Sequence, residues 1–266
     1  MDPAASDRTR RLVGDAALAR LAGARVLVCG LGGVGSWCAE ALARAGVGAL
    51  GLLDSDAFAP SNLNRQLGAL RSTLGRRKTD AMRERVLDIA PDARVETFDL
   101  RYGPDTADGV DLARWDAVAD AIDLVSAKVL LVSRCVAAGV RVYSAMGGGN
   151  KFDPARFRIV DLAKTDRCPL AKAMRKKLRP LGISHLTCVA SDEEPRWPFD
   201  ADPAERIQTA GTLPTVVGAA GLLLAHAILR DLLGAPAAPL ACQARDARLR
   251  AAREGNPSVA RRAAFW

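Results

Sequence analysis

The chain has 266 residues, 49% of them hydrophobic, which is enough to bury one good core and fits one large α/β domain or one plus an appendage. Its formal charge of +8 favours an anionic partner larger than a nucleotide, such as nucleic acid, although basic drift in an Ala/Arg-rich sequence would give the same balance. The six cysteines (Cys29, Cys38, Cys135, Cys168, Cys188, Cys242) stand singly with no CxxC pair, which argues against structural zinc or a dithiol cycle, and Met1 to Gly14 lacks the apolar core of a signal peptide, which implies a cytoplasmic protein.

In chain order, Ser6 to Leu21 reads as a helical lead-in, with Leu12, Ala16 and Ala19 on one side and Arg10 and Arg11 near its start. Arg25 to Cys29 is a short apolar run that stops at Gly30, as a buried parallel strand ending at a turn would. Gly30-Leu31-Gly32-Gly33-Val34-Gly35 follows at once, and glycines at this spacing permit a tight turn, close approach of backbone N–H groups to a phosphate, and packing of the next helix on the sheet. That helix, Ser36 to Ala45, points its N-terminal dipole at the anion. The second strand, Ala49 to Leu53, ends in Asp54, where a carboxylate can grip ribose hydroxyls. Strand, glycine loop, helix and acid together read as a nucleotide site.

Residues 57–73 form a polar segment in which Ser61 is expected to cap a short turn carrying Asn62, Asn64 and Arg65. Arginine suits a triphosphate because its planar fork bonds two oxygens and keeps its charge. A helix is expected over Gly75 to Ala90, with Met82, Val86 and Ile89 at helical spacing and Pro91 as the stop. Lys78 falls in its first turn, which is unfavourable for the dipole, so either an outside anion or plain solvation explains it. Arg94 to Phe98 and Asp116 to Ile122 are further strands. The latter runs into Asp123, placed where open α/β sheets bind ligands and suited to Mg²⁺, with an N-cap for the helix Val125 to Ala138 as its second reading. Val140 to Ala145 is a fifth strand, followed by Gly147-Gly148-Gly149.

From Phe157 to Asp161, a short strand, the character of the sequence changes. Lys164 to Arg179 holds seven basic residues against one acid, Asp166, and Leu170, Met174 and Leu178 repeat every four residues, giving an amphipathic helix with a cationic outer face. A generic solvated face would carry glutamates too, so Lys172, Arg175, Lys176 and Arg179 are read as phosphate-backbone contacts. Leu186 to Ala190 reads as a strand and Ser191 to Pro203 as an acidic loop. Ala210 to Leu229 has no formally charged residue, but Pro214, His226 and three glycines interrupt it, so a buried helix from about Thr215 to Leu233 is read in place of a membrane span. His226 is read as a satisfied core or edge histidine and not a ligand. The reading is one domain over 1–234, including a basic insertion at 151–209, and an Ala/Arg-rich tail at 235–266 with the composition of a disordered segment.

GxGGxG, LLDSD, SNLNRQ, GRRK and DAID, in this order, resemble the adenylating domain of ubiquitin-activating-like enzymes, which include the molybdopterin-synthase and thiamine-biosynthesis adenylyltransferases. The segment from Met146 to Ile183 is similar to the one that marks the tRNA threonylcarbamoyladenosine dehydratase branch. The resemblance implies a Rossmann-like, mostly parallel sheet with helices on both faces and a basic helix-and-strand extension of the same domain. It implies ATP-dependent cyclisation of threonylcarbamoyladenosine in tRNA: the threonine carboxylate attacks the ATP α-phosphate, pyrophosphate leaves, and ring closure by the carbamoyl group expels AMP, with net loss of water.

Carried over residue by residue, the resemblance gives Gly30, Gly32, Gly33 and Gly35 to the phosphates and Asp54 to the ribose. Asn62, Arg65 and Lys78 match phosphate-binding positions, and Asp123 the Mg²⁺ position. Arg11 matches an arginine lent to the partner subunit's ATP, which implies a homodimer; a sulfurtransferase is a further candidate partner. The residue after the Mg²⁺ aspartate, often asparagine in relatives, is Leu124. Some dehydratases carry a cysteine before the C-terminal helix, where this chain reads Gln208-Thr209-Ala210-Gly211, leaving Cys188 as the stand-in for a thioester. Three other readings fit part of the sequence. An adenylyltransferase for a ubiquitin-like sulfur carrier would use the same ATP residues without the cationic helix. A nicotinamide dehydrogenase would give no task to Arg65, Lys78 and Asp123, and an RNA-binding scaffold would tolerate loss of Asp123.

Overall fold

The computed structural model of the chain describes residues 3–196 and 210–234. Its strands are β1 (Arg25–Cys29), β2 (Ala49–Leu53), β3 (Arg94–Phe98), β4 (Ala117–Asp120), β5 (Arg141–Ala145), β6 (Phe157–Asp161) and β7 (Thr187–Ser191). They lie in one sheet in the order β3-β2-β1-β4-β5-β7-β6, with every pair parallel except the antiparallel β6 and β7. The helices are α1 (Pro3–Val13), α2 (Asp15–Gly23), α3 (Gly35–Arg44), α4 (Lys78–Ile89), α5 (Val125–Ala137), α6 (Pro169–Leu178) and α7 (Pro214–Leu232).

Both faces of the sheet are covered, which is why β1 is apolar from Val26 to Cys29 instead of alternating. Val26 and Val28 pack with residues of α3, α4 and α7 on one face, while Leu27 and Cys29 pack with Leu131 and Cys135 of α5 on the other. A third cluster joins α6 to α5 and β7 through Met174, Leu178, Val132 and Cys188. The basic extension is therefore no separate appendage. Its strands β6 and β7 continue the same sheet, and α6 covers their α5-side face.

The expected elements stand with small shifts at their ends, and the N-terminal lead-in differs most. It is two helices, broken at Gly14, whose φ of 81° lies in the left-handed region. One continuous helical stripe cannot cross that break, so Leu12 is 85% exposed and the residues that pack are Ala17 and Leu21. In α6 the buried positions are Ala171, Met174 and Leu178, and Leu170, partly buried against the same cluster, also borders a cleft. The expected acidic loop is described only as far as Arg196, and the tail at 235–266 and Cys242 lie outside the described residues.

Among the described residues α7 is the one helix long and apolar enough to cross a membrane. It packs against α3 so closely that a Cβ on Gly221 would sit 2.3 Å from the Val34 carbonyl oxygen and 2.8 Å from Trp37 Cβ. A core helix of this kind satisfies its apolar face inside the protein.

The sheet also sets the place of the site. From β1 the chain passes to β2 and β3 on one side and then crosses to β4 on the other. The crevice beyond the carboxyl ends of β1 and β4 is the switch point of the winding, where open α/β sheets accept ligands.

Candidate nucleotide site

A cleft of about 680 Å³ opens at this switch point, lined by the glycine loop, the ends of β2, β4 and β5, Lys78 and the first turn of α6. The loop's glycines have different reasons to lack a side chain. Gly30 has φ +89°, and a Cβ there would meet the Ala121 carbonyl oxygen at 2.8 Å; a Cβ on Gly35 would lie 1.7 Å from the Gly30 oxygen. Those two are demanded by the turn and by the seating of α3. Gly33 is crowded by Val217 of α7 at 3.0 Å, whereas a Cβ on Gly32 would meet nothing closer than Gln66 Nε2 at 3.9 Å. Gly32 therefore leaves space that the fold itself does not need, as a loop approached by phosphate requires. Gly32→Val should leave the melting temperature within about 2 °C of the parent and weaken AMP binding about tenfold or more, which titration calorimetry would read.

Asp54 ends β2 as expected and is nearly buried. One of its oxygens accepts from Leu31 N–H at 2.7 Å and the other from Asp56 N–H at 2.9 Å. The carboxylate thus ties the glycine loop to β2, and each oxygen keeps a further lone pair for a ribose hydroxyl. Lys78 is the first residue of α4 and is buried. Its ammonium donates to Asp56 at 2.7 Å and lies 3.5 Å from Asp54. Internal carboxylates, then, account for a cation at an unfavourable helix end, and no outside anion is needed to explain it. The hydrogen bond from Lys78 holds the Asp56 carboxyl below its ordinary range.

The polar segment 57–73 is capped differently from expectation. Asn62, not Ser61, closes the turn, its Oδ1 accepting from Ala59 N–H at 3.0 Å. Arg65 uses Nη1 to donate to the Ser61 carbonyl at 2.8 Å and Asn64 Oδ1 at 2.9 Å; both Asn62 and Arg65 line the cleft. Gln66, the nearest neighbour of Gly32, is also a lining residue and only 7% exposed. Its Oε1 is buried with no hydrogen-bond partner among the described residues.

Asp123 lies on the opposite wall and is exposed. It is not the N-cap of α5: that position belongs to Leu124, with no side-chain cap. Among the described residues the Asp123 carboxylate has no partner, which leaves it available to a cation. No three His, Cys, Asp or Glu side chains converge among the described residues. The cleft thus offers a divalent ion one or two carboxylates, the number Mg²⁺ takes when phosphates and water complete its shell.

Two expectations lie away from the cleft. Arg11, on α1, is paired with Asp7 at 2.7 Å on the surface and does not line the cleft. Cys188 is fully buried in the cluster between α5 and α6, and burial pushes its thiol up. A thiolate nucleophile needs the reverse, so Cys188 is a core residue and not a thioester site. Of the four basic residues expected on the outer face of α6, Lys172, Lys176 and Arg179 are exposed. Arg175 is not free: it donates to the carbonyls of Leu162 and Thr165 and to the Thr165 hydroxyl, stitching the helix to the segment before it.

Sequence reasoning passed over Asp56 and Gln66, although each ends a motif it used, LLDSD and SNLNRQ. It also passed over Arg101 and Tyr102, which follow β3 and line the cleft; no motif marks them. Asp56 and Gln66 emerge only when the chain is folded, because their tasks depend on Lys78 and Gly32 from elsewhere in the sequence.

Comparison with known proteins finds relatives over most of the chain. The tRNA threonylcarbamoyladenosine dehydratase of Bacillus subtilis (strain 168) is 38% identical over 238 residues, covering 85% of this chain and 93% of the relative. Among solved structures, the Escherichia coli tRNA N6-threonylcarbamoyladenosine dehydratase in complex with AMP superposes with a TM-score of 0.79 at 34% identity, over 86% of this chain and 93% of the other. Its complex with ATP gives 0.78 at 33% identity, over 87% and 95%. The model of the ThiF family matches residues 6–258. On that match, and on the nucleotide cleft it spans, the chain belongs to the ThiF family.

Proposed function

We propose that the chain catalyses ATP-dependent cyclisation of threonylcarbamoyladenosine in tRNA, with loss of one water from the base and release of AMP and pyrophosphate. The observation that carries this reading is the join between cleft and basic helix. Leu170, in the first turn of α6, is part of the cleft wall; Lys172, Lys176 and Lys177 are exposed on the same helix, and Arg179 is exposed at its C-cap. A polyanion held on that face has its modified base beside the nucleotide. A carboxylate is a poor electrophile, so adenylation provides a leaving group, and holding the carbamoyl nucleophile against the acyl carbon makes the closure effectively unimolecular.

In this reading Gly32 and Gln66 face the phosphates and Asp54 the ribose. Arg65 and Lys78 neutralise the charge that develops at the α-phosphate. Asp123 holds Mg²⁺, which when bound supplies charge neutralisation on the phosphate oxygens. Arg11 reaches the nucleotide of a second copy, making the working unit a homodimer in the cytoplasm, where its tRNA is found. The sheet, the glycine loop and the relatives support the nucleotide part; the cationic helix supports the tRNA part over a ubiquitin-like substrate.

The test is one reaction: purified protein, ATP, Mg²⁺ and tRNA bearing threonylcarbamoyladenosine, with nucleoside mass and released nucleotides read together. The expected result is a nucleoside lighter by one water, with AMP and pyrophosphate in equal amount. ATP cleavage only on addition of a ubiquitin-like protein, with the tRNA unchanged, would move the substrate to a sulfur carrier.

The tRNA face has its own test. Lys176→Glu with Arg179→Glu should weaken tRNA binding about tenfold or more and flatten the slope of log affinity against log salt by roughly 1.5 to 2, at about 0.9 per phosphate contact. AMP binding should not change. Arg175→Ala, by contrast, should lower the melting temperature by about 2 to 4 °C while tRNA affinity changes less than about threefold, since its Nη1 is already engaged within the fold.

A further inference from the structure

Directly beneath the cleft lies a buried polar cluster that none of the nucleotide contacts uses. Lys128 of α5 and Asp120, the last residue of β4, are both completely buried and pair at 2.9 Å. The Lys128 ammonium also donates to the Ala145 carbonyl at 2.9 Å, where β5 ends. Ser144 donates its hydroxyl to the same Asp120 oxygen at 2.6 Å, and the other Asp120 oxygen accepts from Ile122 N–H at 3.3 Å.

Removing an ammonium and a carboxylate from water is unfavourable, and apolar residues of the same volume often stabilise a core as well or better. A lysine inside the apolar face of α5 therefore asks for another reason. What the cluster joins supplies one. Asp120 governs the exit from β4 into Ala121, Ile122, Asp123 and Leu124, and Ala145 is the exit from β5 into Met146 and Gly147; both stretches line the cleft. Lys128 bonds to both exits, and Ser144 of β5 adds a second bond to Asp120.

We propose that Lys128 is a positioning residue: paired with Asp120, it locks the ends of β4 and β5 to each other and so fixes where Asp123 stands relative to the nucleotide. The proposal rests on the reading of Asp123 as the cation ligand. Lys128 touches neither nucleotide nor tRNA, and its effect reaches the reaction through the backbone of the two exits.

Lys128→Met alone would leave the Asp120 charge buried and unpaired, so the informative variant is the double one, Asp120→Asn with Lys128→Met, which removes both charges and keeps the volume. It should melt within about 4 °C of the parent and bind AMP within about threefold, while kcat falls about tenfold or more and the Mg²⁺ concentration for half-maximal rate rises about tenfold. Parent turnover with parent Mg²⁺ dependence overturns the proposal; so does a loss of kcat and AMP affinity together in proportion to the folded fraction. If the double variant fails to fold, Ser144→Ala carries the test, with kcat expected about threefold lower at unchanged AMP affinity and an unchanged kcat overturning it. Asp123→Asn measured alongside separates the two readings. If Asp123→Asn leaves the Mg²⁺ dependence unchanged, the cation assignment fails, and a double variant that still loses kcat at unchanged AMP affinity supports positioning without it.

Discussion

Asp123→Ala should lower the release of AMP and pyrophosphate from the complete reaction by about 10³ or more, while the protein melts where the parent does. The size follows from what a divalent ion contributes to phosphoryl and adenylyl chemistry, several kcal/mol of charge stabilisation, at about 1.4 kcal/mol per factor of ten. The unchanged stability follows from the structure. Asp123 is exposed, caps no helix, and has no hydrogen bond or ion pair among the described residues, and substitutions at such positions usually change stability by no more than about 0.5 kcal/mol. A Mg²⁺ titration of the residual activity decides the cause: half-saturation should move to much higher concentration. A variant that retains half the parent rate at the parent Mg²⁺ dependence would remove Asp123 from the site.

Much of the fold was legible because the signals that place it are local. The run Arg25–Cys29, the glycine loop after it and the acid at the end of β2 each declare a piece of strand, turn and helix within a few residues, and their order leaves few alternatives. The lead-in helix misled for an equally local reason. Gly14 is one residue in a helical pattern, and only its positive φ shows that the chain turns there. The α6 stripe of Leu170, Met174 and Leu178 does pack on one cluster, but a four-residue repeat does not reveal that Leu170 also borders the cleft or that Ala171 is buried beside it.

The site was less legible than the fold, and the difference is one of distance. Gly32, Asp54, Arg65 and Asp123 sit in motifs whose chemistry is written beside them. Asp56 depends on Lys78, twenty-two residues on, and the Asp120–Lys128–Ala145 cluster joins three elements. Arg175 shows the converse: by composition it belongs to a cationic face, but folding gives its donors to Leu162 and Thr165. Residue type and helical spacing cannot tell a charge that is spent inside the fold from one that is offered to a ligand.

Lys78→Met is expected to cost kcat a factor of about 10² to 10³, comparable to removing a single preorganised donor from a developing oxyanion, with a smaller loss in AMP affinity. The reason lies in how the ammonium is held. The ammonium is buried and bonded to Asp56, with Asp54 3.5 Å away, so the fold itself sets its position and little reorganisation is needed when charge grows on the phosphate. The same pairing gives the variant a stability signature. Because Lys78 holds the Asp56 carboxyl below its usual pKa, the pair stabilises the fold above the unfolded carboxylate pKa of about 3.9 and ceases to do so as pH falls through the lowered folded value. The variant should therefore be less stable than the parent at pH 7, and the gap should close as the pH is taken below about 4. Lys78→Arg keeps the charge and should recover most of the stability, but its planar fork cannot sit on Asp56 as a compact ammonium does, so kcat should stay depressed. Full recovery of kcat in Lys78→Arg would mean that the net charge of the cleft, and not the placement of this ammonium, is what the reaction requires.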